Sequence, residues 1–296
     1  MNNDITIIFV LYKSGNILYE NLKELKNFKK IIIDNNPSST IETELKLIDK
    51  KIVYKKMNSN LGMSKAAKIA LDSVNTNFFL YLTADTIINE KNILNLLTIY
   101  KKYPNIGLVA PIHLDKKGDY SGNYFCHPLK RIINRNKFNK NIYKSLSKLL
   151  PEGDFSVSTV WGAPILLKTS LIKEIGFFDQ NFFMYFEDVD LCDRIIDKGL
   201  EIIETPFSFC HHHKGSSNIK SINNLYTTIS SYKFSELYYF SKFKIKYRIR
   251  IYIHSFDYFF LLILNVVLFN KLKIFSNLFR LVGIIRFIFY KKISKF

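Results

Sequence analysis

The strongest constraint on this chain is a series of short apolar runs, rich in β-branched or aromatic residues, each ending on polar groups. ITIIFVL (5–11) stops at Tyr12, the run beginning IIID (31–34) continues into Asn35-Asn36-Pro37, and FFLYLTADT (78–86) ends on Asp85. Runs this short and this continuously apolar are the mark of strands covered on both faces. Between the first two, ILYENLKELKNF (17–28) carries apolar groups at helical spacing. Strand, helix and strand at that spacing predict a βαβ unit and therefore parallel strands.

The pattern continues along the chain. KIVYKKM (51–57), GLVAPIHL (107–114) and the ILLK that follows Trp161-Gly162-Ala163-Pro164 read as further strands. MSKAAKIALDSV, residues 90–102 and LIKEIG, which closes on Gly176, read as helices, the last stopped by glycine. LEII (200–203) with Thr205-Pro206-Phe207 reads as an edge strand, and residues 115–160 show no periodicity. The fold class predicted is α/β: a Rossmann-like, mostly parallel sheet flanked by helices, with a basic helical segment at the C-terminal side.

A chain of 296 residues suits one large domain or two small ones, and 48% hydrophobic residues suffice for a full core. Cys126, Cys192 and Cys210 are an odd number without metal-type spacing, as expected of reduced thiols in a cytoplasmic protein. The N-terminal MNNDITIIFVLY has an acid where an export signal needs basic residues, so no export signal is expected. The net charge of +18 is uneven. Residues 215–296 hold 14 Lys and Arg against 2 acids, and the first 214 residues hold 29 against 23. This asymmetry divides the chain into residues 1–217, carrying the sheet, and a basic, apolar tail, 218–296.

In open α/β sheets ligands bind outside the carboxyl ends of the strands. Tyr12, Asp34 and Asp85 are expected there. Asp34 can accept hydrogen bonds from a base or ribose, or close an Asx-turn. Asn60-Leu61-Gly62 opens the small-residue helix, where glycine lets backbone approach a ligand. Asp85, with Thr83 and Thr86 beside it, can bind a divalent cation through oxygen or cap the following helix. His211, His212 and His213 cannot share one face, so they do not form a three-ligand site alone, but one of them can join Asp85 on a metal or bind a phosphate beside Lys214, the alternative being a solvated polar loop. The stretch 176–194, GFFDQNFFMYFEDVDLCDR, sets five acids among five phenylalanines, a methionine and a tyrosine. Clustered carboxylates raise one another's pKa unless something offsets them, which suits a built site. The alternative is the charged first turn of an amphipathic helix.

Taken in order, IIIDNNP, NLGMSKA, LYLTADT, WGAPILL, GFFDQNFFMYFEDVDLCDR and HHHKGSS resemble family 2 glycosyltransferases of the GT-A fold, in the rhamnosyltransferase-like branch. The resemblance spans roughly residues 5–217. It implies a nucleotide-sugar site at Tyr12, Asp34, Asn60, Gly62, Asp85, Gly162 and Ala163. It implies a divalent metal, Mg or Mn, on Asp85 with His211 or His212. It makes Asp188 the catalytic base, with Glu187 beside it in the same motif, and lets Phe182-Phe183-Met184-Tyr185 wall a donor or acceptor pocket. Thr83-Ala84 depart from the family's acidic metal motif, and Lys68 stands where many relatives have asparagine.

The implied reaction moves a hexose such as rhamnose, with inversion, from a UDP- or dTDP-sugar to a lipid-linked or growing bacterial surface polysaccharide. For the tail, KFKIKYRIR (242–250) alternates basic and apolar residues. The apolar run 258–269 is 12 residues, short of the roughly 20 a spanning helix needs. Helices lying on the cytoplasmic face of an anionic inner membrane are therefore expected, with a packed subdomain or a homodimer contact as alternatives. Two other functions compete: an inactive glycosyltransferase-like scaffold and a basic nucleic-acid-binding protein. The acids at strand ends argue against nucleic acid, because they repel phosphates.

Overall fold

The computed structural model describes residues 4–13, 16–114, 118, 152–212 and 221–293. Cys126, His213 and Lys214 lie outside these residues, as does most of 115–160. In chain order the elements are β1 (Ile5–Leu11), α1 (Ile17–Glu24), β2 (Lys29–Asp34), α2 (Glu42–Ile48), β3 (Val53–Lys56) and α3 (Gly62–Asp72). There follow β4 (Phe78–Thr83), β5 (Thr86–Ile87), α4 (Glu90–Lys102), β6 (Ile106–Leu114), β7 (Phe155–Ser156) and β8 (Ile165–Lys168). The remainder are α5 (Thr169–Ile175), α6 (Glu187–Asp197), β9 (Glu201–His212), α7 (Ile222–Lys242), α8 (Tyr247–Val267) and α9 (Lys271–Ile293).

The strands form one sheet in the order β3-β2-β1-β4-β8-β6-β9-β5, with β7 also on β9. β1, β2, β3 and β4 are mutually parallel. β8 runs antiparallel to both β4 and β6, and β9 runs parallel to β6. The carboxyl ends of β1, β2, β4, β6 and β9 therefore lie along one edge of the sheet. The amino end of β8 lies there too, which brings Gly162, Ala163 and Pro164 to the same edge.

Every residue of β1 is buried, because its alternate residues enter two different cores. Ile5, Ile7, Phe9 and Leu11 pack with Leu22, Leu45 and Leu96 of α1, α2 and α4. Ile8 and Val10 pack with Ala66 and Ala70 of α3 and with Leu191 and Ile195 of α6. The apolar runs are thus continuous for the reason the sequence suggests. The α/β class expected from the sequence, a mostly parallel sheet with helices against it, is what the chain adopts.

Two sequence readings change. The expected edge strand at 200–207 is a 12-residue strand with neighbours on both sides, β6 on one and β5 and β7 on the other. Its apolar pattern is broken because the ladder with β6 shifts register, Pro111 pairing Thr205 and Ile112 pairing Phe209. Pro206, which cannot donate to a ladder, falls in that irregularity. In the tail, residues 258–267 of the apolar run belong to the 21-residue α8, which by length and composition is enough to cross a membrane. Arg248, Arg250, His254 and Asp257 interrupt the sequence pattern but not the helix.

The chain divides into two compact units: residues 1–180 with 188–216, and residues 181–187 with 217–296. In the second, α9 packs with both α7 and α8. The segment before α6 belongs to this unit. Phe182 is fully buried, its ring 4.9 Å from that of Tyr238, and Ser235 donates to the Met184 carbonyl at 2.9 Å. Phe182, assigned to a pocket wall from the sequence, is thus a packing residue of the helical unit.

Candidate active site

At the end of β2, Asp34 is buried and held from two sides. The Tyr54 hydroxyl donates to Oδ2 at 2.9 Å, and the Asn36 N–H donates to Oδ1 at 2.9 Å. The second bond is the Asx-turn that the sequence permits. Burial, with the Asp34 hydrogen bond and charge adding to it, pushes the Tyr54 phenol up to about 12, so it stays a donor at neutral pH. Asp34 sits opposite Leu11 in the parallel ladder, so the exposed Tyr12 follows directly on the neighbouring strand.

Asn35, which sequence reasoning passed over, ties this edge to the helix start. Its Nδ2 donates to the Gly62 carbonyl at 3.0 Å, and its Oδ1 accepts from the Leu61 N–H at 3.4 Å. Asn60 Oδ1 accepts from the Gly62 N–H at 2.9 Å. Gly62 has φ +79°, a left-handed value that a side chain would strain. Asn60 and Gly62 thus form a fixed turn, clamped to the end of β2.

Asp85 lies in the turn between β4 and β5. It does not cap α4; Asn89 does, accepting from the Asn92 N–H. Instead β5 pairs with the end of β9, aligning Thr86 with His212, and His212 Nε2 comes within 3.3 Å of Asp85 Oδ2. Burial pushes the Asp85 carboxyl up, but the His212 hydrogen bond and charge and a Thr83 hydrogen bond outweigh it, leaving it below the ordinary value. A low value keeps the carboxylate ionised. His211, one residue away on the strand, points to the other face, its ring near that of Phe209. Of the two histidines, the structure brings only His212 to Asp85.

The His212 ring is held by neighbours the sequence did not single out. Trp161 lies 5.9 Å from it and the buried His113 lies 6.4 Å away, while His113 and Trp161 meet edge-on at 4.6 Å. The Nδ1 of His212 is buried without a hydrogen-bond partner among the described residues. The Asp85–His212 pair fits a divalent cation. Two adjacent ligands about 2.1 Å from an octahedral ion lie about 3 Å apart. Among the described residues no group of three or more His, Cys, Asp or Glu side chains is arranged for a metal. An ion here would need oxygens from a bound ligand or water.

Asp188 stands in the first turn of α6, partly exposed, with the Val189 N–H donating to Oδ1 at 2.9 Å. Gly162 approaches it so closely that a Cβ there would lie 3.2 Å from Asp188 Cβ. The crowding of protein around the carboxyl raises its pKa, opposed by hydrogen bonds from the N–H groups of Val189, Asp188 and Gly162. A carboxylate with a raised value, held by backbone at the sheet edge, is suited to taking a proton. Ala163 is buried beside it.

Asp190, in the same cluster, has structural work. It is fully buried and accepts from Arg194 Nε at 2.9 Å. Arg194 also donates to the carbonyls of Ile175, Gly176 and Phe177. It fixes the chain that leaves α5, and with it the start of the acid stretch. Glu187 opens α6 immediately before Asp188 and grouped with the helical unit. Its charge is one cause of the raised pKa of Tyr185, after burial.

The chain is similar to several known proteins. The model of glycosyl transferase family 2 matches residues 6–159. The low-salt glycan biosynthesis hexosyltransferase of Haloferax volcanii is 26% identical over 214 residues, covering 68% of this chain and 64% of that protein. A dTDP-rhamnosyl transferase of Shigella flexneri is 23% identical over 230 residues, covering 74% of this chain and 72% of that protein. A crystal structure of GalNAc-T7 with UDP, GalNAc and Mn2+ superposes with a TM-score of 0.51 at 14% identity, over 77% of this chain and 48% of that one. The chain thus spans less than two thirds of the Haloferax protein and of the superposed enzyme.

Proposed function

This chain belongs to glycosyl transferase family 2, and from that membership and the geometry of the sheet edge we infer that it transfers a hexose from a nucleotide diphosphate sugar to a glycan acceptor, with inversion. The observation that carries the reading is convergence. Asp34, the Asn60–Gly62 turn, Asp85 with His212, and Asp188 against Gly162 all fall at one edge of the sheet. The donor proposed is a UDP- or dTDP-sugar, rhamnose among the candidates, because the Shigella relative is a dTDP-rhamnosyl transferase. The acceptor proposed is a lipid-linked or growing surface polysaccharide on the cytoplasmic face of the membrane. The catalytic work falls to residues 1–217, and residues 218–296 hold the enzyme at the membrane.

Asp34 and Tyr12 would receive the nucleoside, with Tyr54 fixing the Asp34 carboxylate. Gly62 lets the backbone of the α3 start approach the nucleotide. Asp85 and His212 are the residues that would hold a divalent cation, which when bound would neutralise charge on the diphosphate. Asp188 takes the proton of the acceptor hydroxyl as its oxygen bonds to the anomeric carbon. The bond from that carbon to the diphosphate oxygen breaks, and the nucleoside diphosphate leaves with the electron pair. A positioned base of this kind is worth roughly 10²–10⁴-fold. The raised pKa of Asp188 makes it a stronger base than an ordinary carboxylate.

The test is a thermal-shift screen of nucleotide sugars with and without Mn2+, followed by release of nucleoside diphosphate in the presence of acceptor. A ligand that binds only the native state raises the melting point by mass action. Stabilisation by one class of UDP- or dTDP-sugar, with turnover, is expected. Binding without turnover would replace the enzyme by a scaffold. Salt-sensitive DNA binding with no response to nucleotide sugars would overturn the reading altogether.

A further inference from the structure

The polarity of α8 is inverted. Its buried residue is Asn265, while Tyr252, Ile253, Phe256, Phe260, Ile263 and Val267 are exposed along one side. Phe256 is 73% exposed, and with its neighbours it forms a contiguous apolar patch of the kind that marks an interaction surface. The inner side of the helix is polar. His254 Nδ1 lies 3.2 Å from the buried Lys233 Nζ, which also pairs with Glu236, and Arg250 stacks on Phe240 at 4.3 Å. On α9, Asn277 is buried together with Phe279, Ile284 and Phe287, while Leu278, Ile285 and Phe289 are exposed, so the helical unit has an apolar core and a second set of apolar residues outside it.

We propose that α8 lies in the plane of a phospholipid membrane with this outer face dissolved among the acyl chains of one leaflet. Three observations select lipid. The exposed residues of α8 form one contiguous apolar face, which suits hydrocarbon and not water. The helix is 21 residues with a mean hydropathy of 1.3 over its most apolar window, which is only 6% buried. Cations gather at one end of the α8–α9 pair, where Lys242, Lys244, Lys246 and Arg248 precede or open α8, and Lys291 sits 5.8 Å above the Tyr247 ring. That end matches the phosphates of lipid headgroups. The helix lies flat because crossing would place His254 and Asp257 near the hydrocarbon centre and bring Arg280 and Arg286 of α9 back through it.

The proposal rests on the membrane reading above and sharpens it, from charge adsorption to insertion. The full chain carrying Cys126→Ser, with Cys192 and Cys210 buried, is labelled with an environment-sensitive fluorophore at Ile253→Cys, Phe260→Cys or Val267→Cys. It is mixed with phosphatidylcholine vesicles containing a minority of phosphatidylglycerol and nitroxide-bearing acyl chains. The expected result is equal, shallow quenching at all three positions and sedimentation that survives about 1 M NaCl, where screening shortens electrostatics to about 3 Å. A Phe256→Asn, Phe260→Asn, Ile263→Asn variant should bind vesicles at least about tenfold more weakly, with its melting point and its stabilisation by nucleotide sugar unchanged. Deepest quenching at Phe260→Cys would show a crossing helix and overturn the proposal. Release by salt would overturn insertion but leave the membrane reading standing. Failure of the parent chain to sediment at all would remove that reading too. A triple variant that turns dimer into monomer and still binds vesicles would assign the face to a second copy of the chain.

Discussion

Replacing Gly162 by alanine tests how Asp188 is held. A Cβ on Gly162 would stand 3.2 Å from Asp188 Cβ, 3.5 Å from its Oδ2 and 3.7 Å from its Cγ. Carbon atoms in good contact are about 3.5–4.0 Å apart, so the side chain of Asp188 must yield by a few tenths of an ångström. It sits in the first turn of α6 and is partly exposed, so it can do so without moving the sheet. Overpacking of a tight core site costs about 1–3 kcal/mol; at this yielding site the loss should be near the bottom, about 1 kcal/mol. That corresponds to a fall of roughly 2–4 °C in Tm. The same displacement draws the carboxylate away from the Gly162 N–H, one of the bonds that orient it. Misplacing a reacting group by up to about 1 Å costs up to about 10²-fold. The expected result is a kcat reduced roughly 10–100-fold with the donor KM within about twofold. The assay is steady-state release of nucleoside diphosphate at varied donor, paired with a thermal melt. A kcat within about twofold of the parent would refute the argument that Gly162 places Asp188. A Tm loss above about 10 °C would refute the claim that the strain is local.

Asp188→Asn should lower kcat by roughly 10²–10⁴-fold while leaving nucleotide binding intact. Its folded pKa is raised, so stability declines as pH rises from the unfolded value, about 3.9, through the folded one. The variant should therefore melt higher than the parent at neutral pH, and its rate profile should lose an acid limb that in the parent lies above the ordinary carboxylate range. An acid limb unchanged in Asp188→Asn would assign the base elsewhere. Asp85→Asn and His212→Ala should each raise the Mn2+ needed for half-maximal activity at least about tenfold, whereas His211→Ala, on the other face of β9, should not. Equal effects from both histidines, measured by metal titration, would contradict the strand geometry. Arg194→Met leaves the buried Asp190 without its cation, and breaking such a pair costs about 3–5 kcal/mol. A large fall in Tm by calorimetry is expected, and a shift under about 2 °C would show that Asp190 finds another partner.

The parallel half of the sheet was legible because its signals are local. Burial on both faces makes 5–11, 31–34 and 78–83 continuously apolar, and helical spacing separates the first two. Parallel pairing then puts Tyr12, Asp34 and Asp85 at one edge without further information. The acid cluster was visible too, but its division of labour was not. Asp188 and Asp190 are two residues apart in one sequence motif. Only the approach of Gly162 to the first and of Arg194 to the second separates a proposed base from a structural ion pair.

The sequence by itself determined the α/β class, the family and the candidates for the site, since periodicity, strand-end chemistry and motif order all reside in short stretches. Tertiary structure decided which candidates meet. His212 reaches Asp85 because β9 runs on past its irregularity to pair with β5, a ladder between segments far apart in the chain. The rings of Trp161 and His113 close around His212 only once β6, β8 and β9 are assembled. In the tail, composition revealed apolar and basic residues but not which side of α8 each would take. Packing on α9 turned Asn265 inward and Phe256 outward, and that orientation is a property of three helices together, which no single stretch of sequence encodes.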